Sequence, residues 1–201
     1  MGINAAQASA LILAGGQSRR FGSNKAHARV HGKPMVNRVF DVLDACFKDV
    51  AISTADPSIS FDVPAPHIPD VYPNTGPLSG LYSGFIRTTA PWLFVAAVDL
   101  PFITTQAVHL MLEACENTVD GVIATDGKKA QPLFGCYHSR ITPALEAFLK
   151  QGERAVFSFI KTQNINTVQL PAAVLQNINR PADLPKHQAN FKQTGDGTST
   201  R

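Results

Sequence analysis

The chain has 201 residues, 44% of them hydrophobic and 16% charged, with a formal net charge of +3. That composition suits one large domain with a buried core and argues against disorder over most of the length. No apolar run approaches the roughly 18 residues of a membrane span, and the short run 8–14 has no basic residue before it, so no secretory signal is expected. Cys46, Cys115 and Cys136 are odd in number and widely spaced, which fits neither a disulfide framework nor a CxxC metal site and points to a reduced, cytoplasmic compartment.

The charge is unevenly placed. Residues 1–40 carry Arg19, Arg20, Lys25, Arg29, Lys33 and Arg38 and not one acid, whereas the remaining 161 residues hold 12 basic and 15 acidic groups. An asymmetry of this kind points to an anionic partner.

In chain order, 9–14 (SALILA) reads as a first strand ending at Gly15-Gly16. Residues 34–47 place Met35, Val39, Val42 and Leu43 at helical spacing and lead into a strand over 49–53. A helix over 78–88 is entered through Gly76-Pro77. The continuous apolar run 92–98 is the pattern of a strand buried on both faces. A helix capped by Thr104 runs to 117, and strands follow at 121–125 and 133–137. Helices over 141–150, stopped at Gly152, and 155–161 precede a last strand at 165–170. Strands alternating with helices of this length predict a three-layer α/β/α domain of Rossmann-like type, with a mainly parallel, mixed central sheet. The domain is expected to span 1–184, with 185–201 a polar, flexible tail.

Ligands of such sheets bind outside the carboxyl ends of the strands. Three segments therefore attract attention: the one after Ala14, the one before Gly76 and the one after Val98. The loop LAGGQSRRFGSNK (13–25) has two glycines directly after a strand, where backbone N–H groups can form an anion-binding concavity. Arg19, Arg20 and Lys25 add positive charge there. A Walker A loop does not fit, because five residues separate Gly16 from Gly22 and Ser23 follows, and a G-x-G-x-x-G fingerprint is absent. Asp99, in VDLP after the most buried strand, is a carboxylate placed to hold Mg²⁺ beside a phosphate chain, since Thr104 is the better cap for the next helix. Asp70 is a second carboxylate near a strand end.

Together these residues resemble the LAGGxSxRxGxxK nucleotidyltransferases and, more closely, the molybdenum cofactor guanylyltransferase (MobA) family. The closer likeness is carried by GPLSG (76–80), VDLP (98–101), QPLF (131–134) with GERAV (152–156), and NINRPADL (177–184), in order along the chain. The resemblance implies a GT-A-like nucleotidyltransferase fold and transfer of GMP from GTP to molybdenum-bound molybdopterin, with release of pyrophosphate. It implies that Leu13, Ala14, Gly15, Gly16, Lys25, Asp70 and Asp99 bind the nucleotide. Arg20, Lys25 and Asp99 would be catalytic, with Mg²⁺ on Asp99, and Asn177, Asn179 and Arg154 would bind molybdopterin. Arg19 stands at a variable position of the signature and ranks below Arg20.

Where the family often carries asparagines to fix guanine, this chain has Ser53-Thr54-Ala55-Asp56, so purine recognition is expected to rest on Ser53, Thr54, Asp56 or backbone groups. Arg180 stands in place of the usual small residue before Pro181. His27, His31, His67 and His138 read as surface or packing residues. No general base is required, because a phosphate monoester acceptor is largely ionised at neutral pH. Competing readings are a cytidylyltransferase acting on the same cofactor, a sugar-1-phosphate nucleotidyltransferase, and a non-catalytic nucleotide-binding or cofactor-carrier protein. No nucleic-acid or membrane partner is expected. The chain is expected to act as a monomer that meets cofactor-insertion and cofactor-delivery proteins transiently.

Overall fold

A computed structural model describes residues 2–15, 25–56 and 58–183. Gly16, Arg19, Arg20 and the tail 185–201 lie outside the described residues. Strand β1 (Ala8–Leu13) opens the domain and is buried at every position. The ribbon β2 (Arg29–Val30) and β3 (Lys33–Pro34) follows, then helix α1 (Met35–Asp44), β4 (Val50–Thr54), β5 (His67–Pro69) and α2 (Pro77–Phe85). The second half holds β6 (Trp92–Ala97), α3 (Thr105–Glu113), β7 (Gly121–Thr125), β8 (Ala130–His138), α4 (Thr142–Lys150), α5 (Val156–Ile160) and β9 (Ile165–Gln169).

Seven strands form one sheet in the order β5-β4-β1-β6-β8-β7-β9. Pairings β5·β4, β4·β1, β1·β6 and β7·β9 are parallel, while β8 runs antiparallel to both β6 and β7. The predicted mainly parallel, mixed sheet is therefore present. Alternate residues of each central strand face opposite layers. Ala10, Ile12, Phe94 and Ala96 pack with Met35, Val39 and Leu43 of α1 and with Val108 and Met111 of α3. Leu11, Leu13, Leu93 and Val95 pack with Leu78, Leu81 and Phe85 of α2, Leu145 of α4 and Phe159 of α5. A sheet covered on both sides explains the unbroken apolar run of β6.

Every helix and strand expected from the pattern is present, with ends shifted by a few residues. The largest shift is in α3, capped as expected by Thr104, whose Oγ1 accepts from the N–H of Ala107 at 3.1 Å, but ending at Glu113 rather than 117. Strands β2, β3 and β5 are not displayed by the sequence pattern. Strand β5 is three residues long, carries Pro69 and sits at the sheet edge, where a missing N–H costs no ladder bond. The β2–β3 ribbon turns through His31 and Gly32, both at positive φ (49° and 78°), as a two-residue primed turn requires.

Candidate functional site

Because β5, β4, β1 and β6 are parallel neighbours, their carboxyl ends lie along one edge of the sheet, and the chain leaves each of them at a residue marked by the sequence. Hydrogen bonds from Ala14 N to Ser53 O (2.9 Å) and from Val98 N to Leu13 O (3.1 Å) carry the alignment past the last ladder positions. Asp70, Ala55, Gly15 and Asp99 thus follow one another across the edge. The antiparallel β8 begins where its neighbours end, so Gln131 reaches the same edge.

Two groups of residues form there. The first surrounds a cavity of about 420 Å³ lined by Leu13, Gly15, Ser53, Asp70, Gly76 and Arg154, with Ala55, Asn74, Pro77 and Gly80 completing its walls. Ser53 Oγ donates to Asp70 Oδ1 at 2.6 Å. Burial pushes the Asp70 carboxyl above its ordinary range, and the Ser53 hydrogen bond opposes that shift in part. Gly15 and Gly80 are glycines for reasons of space. A Cβ on Gly80 would come within 2.6 Å of Ser53 Oγ and 2.7 Å of Leu13 Cδ2, and one on Gly15 would meet Ala55 N at 3.4 Å. Gly76, at φ 76°, makes the turn into α2 that only glycine adopts readily.

The second group centres on Lys25. Its ammonium donates to Asp99 Oδ2 at 2.9 Å and to Asn179 Oδ1 at 2.7 Å, joining residues separated by 74 and 154 positions in the chain. The N–H of Ile178 donates to the backbone oxygen of Asp99 at 2.9 Å, and the Ile178 side chain is buried in the core. An inward residue between two outward asparagines fixes both. Asn177 Oδ1 accepts from Gln131 Nε2 at 3.0 Å, while the N–H groups of Asn179 and Arg180 both donate to Asp183 Oδ2 at 2.8 Å.

The structure therefore brings Lys25, Asp99, Asn177 and Asn179 together, and separately brings Leu13, Gly15, Asp70 and Arg154 together. Arg154, expected beside the asparagines, lines the cavity of Asp70, whose walls include neither Asn177 nor Asn179. Ala14 is buried between the two groups, bonded through its N–H to β4. Of the candidates at the end of β4 and just beyond it, Ser53 enters the cavity. The hydroxyl of Thr54 bonds the backbone of Asp56 instead, and the Asp56 carboxylate is turned to Ser58. Gln131 and Asp183 were missed as individual side chains, although both lie in motifs that the sequence displays, because their role is to hold another residue.

Several other charged and imidazole groups have local structural partners. Arg38 donates to Pro101 O and Arg29 to Gly32 O, and Lys33 pairs with Asp41. His27 bonds Ser60 O and its ring packs on Phe61, as does that of His67. The ring of His138 lies edge-on to Trp92, and burial lowers its pKa. These contacts agree with a packing role for the histidines.

An Mg²⁺ ion commonly keeps several waters and takes one or two carboxylates together with substrate phosphates. A partly exposed Asp99 at a strand end fits that habit. No cluster of three His, Cys, Asp or Glu occurs among the described residues, as an all-protein cage would require. Nor is any described helix long and apolar enough to cross a membrane.

The family model described as a MobA-like NTP transferase domain matches residues 10–167. A molybdenum cofactor guanylyltransferase from Vibrio atlanticus is 31% identical over 183 residues, covering 89% of this chain and 94% of the relative. The crystal structure of molybdopterin-guanine dinucleotide biosynthesis protein A from Archaeoglobus fulgidus superposes with a TM-score of 0.75 at 23% identity, over 87% of this chain and 94% of that one. The 2-C-methyl-D-erythritol 4-phosphate cytidylyltransferase from Thermus thermophilus shares the fold at a TM-score of 0.66 and 14% identity, over 91% and 95% of the two chains. Matched over most of its length by sequence and by fold, this chain belongs to the MobA-like NTP transferase family and is a nucleotidyltransferase.

Proposed function

We propose that the chain transfers GMP from GTP to the terminal phosphate of molybdenum-bound molybdopterin, giving the guanine dinucleotide form of the cofactor and pyrophosphate. The observation that carries this reading is the contact of Lys25 with both Asp99 and Asn179 at the carboxyl edge of the sheet. A cation, a carboxylate and a segment read as acceptor-binding meet there within direct hydrogen-bond distance.

In this reading the cavity beside Gly15 takes the nucleoside of GTP, with Asp70 accepting from the base or ribose. Arg154 is assigned to the nucleotide, in keeping with its place in that cavity. The triphosphate runs from there toward Lys25, which neutralises charge as pyrophosphate departs. Arg20 and Gly16, outside the described residues, are assigned to the same phosphates by the signature. Asn177 and Asn179 hold the pterin side, presenting the acceptor phosphate from the flank opposite the cavity. Asp99 would hold Mg²⁺, which would supply charge neutralisation to the phosphates. The protein contributes position and electrostatics and needs no covalent intermediate, as is usual in phosphoryl transfer.

The three free cysteines are consistent with a cytoplasmic enzyme. We further infer that it acts as a monomer and meets cofactor-insertion and cofactor-delivery proteins transiently. Titration of GTP, CTP and ATP against the purified protein tests the assignment, with pyrophosphate release by Asp99→Ala as the inactive control. Preference for GTP is expected, and a clear preference for CTP would overturn the guanylyl reading in favour of the cytidylyl one.

A further inference from the structure

Ser9, Ser53, Thr54, Ser79 and Ser83 are the buried serine and threonine side chains among the described residues, and three of these five bond one short segment. Ser53 Oγ donates to Asp70 Oδ1 at 2.6 Å. The N–H of Val71 donates to Ser83 Oγ at 2.9 Å, and the N–H of Tyr72 donates to Ser79 Oγ at 3.0 Å. Ser79 and Ser83 stand four residues apart on α2 and therefore on one face of it. Between them Gly80 lets the helix close on Ser53, leaving no room for a Cβ. The loop beyond is tied by Thr75 Oγ1, which donates to Tyr72 O at 2.6 Å.

Hydroxyls buried at 0–2% exposure are held to their partners, since a lost bond there would leave a polar group without water. Asp70 is consequently fixed twice, through its following backbone by α2 and through one carboxylate oxygen by β4. Its other oxygen, Oδ2, lies 4.0 Å from the point where a Gly15 Cβ would stand, on the cavity side.

We propose that Ser53, Ser79 and Ser83 are positioning residues for nucleobase selection, which set the direction in which the Asp70 carboxylate faces the base. An ionised carboxylate only accepts hydrogen bonds, so it reads donors. Guanine offers two adjacent donors, the ring N1–H and the 2-amino group, and a carboxylate locked in rotation can distinguish that pair from a single donor. The proposal rests on the reading that the cavity takes the nucleoside of GTP.

Equilibrium binding of GTP and ITP separates the two ideas, because ITP lacks the 2-amino group. Ser53→Ala is expected to weaken GTP about tenfold and ITP by less than about threefold, so that discrimination shrinks. A loosened fold would weaken both alike, and equal losses would overturn the proposal. Ser53→Cys, which keeps the volume but donates weakly, is measured beside it and should fall in the same direction should the alanine variant fold poorly. Asp70→Asn supplies the separating arm. If it binds GTP as the unaltered protein does, the nucleoside does not use this carboxylate and both readings fall. If Asp70→Asn weakens GTP but Ser53→Ala leaves the GTP-to-ITP ratio unchanged, the positioning role alone falls.

Discussion

Lys25 and Asp99 are joined by an ion pair of 2.9 Å, with only 15% and 24% of their side chains exposed. The same ammonium holds Asn179 at 2.7 Å. In the proposed reaction both of these groups would serve something else: Asp99 a cation, Asn179 the acceptor. A metal arriving at Asp99 competes with the lysine for the carboxylate, and a triphosphate offers the lysine a new partner. Lys25→Met should therefore tighten binding of Mn²⁺ to the nucleotide-free protein, read by electron paramagnetic resonance, while weakening GTP by about tenfold or more. Unchanged or weaker Mn²⁺ binding would remove the competition from the account.

Asp70 gives a prediction in pH and one in stability. Burial raises its pKa in the folded chain above its unfolded value, so the folded state holds the proton more tightly. That contribution to stability is fully present below the unfolded pKa and is lost as pH rises through the folded one. At neutral pH the ionised carboxylate is a strain on the fold. Asp70→Asn, which keeps an oxygen for Ser53, should raise the melting temperature at pH 7 while weakening GTP. In the unaltered protein, GTP affinity should decline on acidification from a pH above the ordinary carboxylate range, as the acceptor is protonated. A melting temperature that falls on substitution would contradict this reading of Asp70.

Gly80 couples packing to the site. An added methyl would meet Ser53 Oγ and Leu13 Cδ2 well inside contact distance, so those side chains would have to shift. Gly80→Ala is expected to cost about 1–3 kcal/mol in chemical denaturation and to weaken nucleotide binding as well, because Ser53 must move. Full stability with full GTP affinity would show that the neighbourhood yields.

In the proposed reaction Gln131 would act on the other substrate. Its amide holds Asn177 at 3.0 Å across 46 residues of sequence. Gln131→Ala should raise the KM for the molybdopterin acceptor about fivefold, corresponding to roughly 1 kcal/mol for one hydrogen bond, and leave the KM for GTP unchanged. An equal change in both would mean that the two groups of residues are not separable.

Much of this was legible before any coordinates. The apolar run of β6 announced a strand covered on both faces, the helical spacing of Met35, Val39 and Leu43 announced α1, and the glycines after β1 announced a turn against a ligand. These signals are local, set by periodicity and by the steric needs of one residue type. Strand β5 escaped because three residues, one of them a proline, show no period. Arg154 was placed by motif with the asparagines, whereas α4 and α5 deliver it to the cavity of Asp70. Nothing in the periodicity of α2 marks Ser79 and Ser83, whose hydroxyls accept from the backbone of Tyr72 and Val71 only in the folded chain.

The sequence by itself determined the class of fold, the order of its elements and the residue types available for handling phosphate, including an acid-free start of 40 residues whose six cations suit an anionic substrate. Tertiary structure alone decided how the four of them among the described residues divide. Arg29, Lys33 and Arg38 are engaged by neighbouring groups of the fold, and Lys25 is carried to Asp99 and Asn179. The reason is geometric. Parallel strands align their carboxyl ends whatever the chain length between them, so residues 74 and 154 positions apart meet at one nitrogen atom, and no pattern along the chain records that meeting.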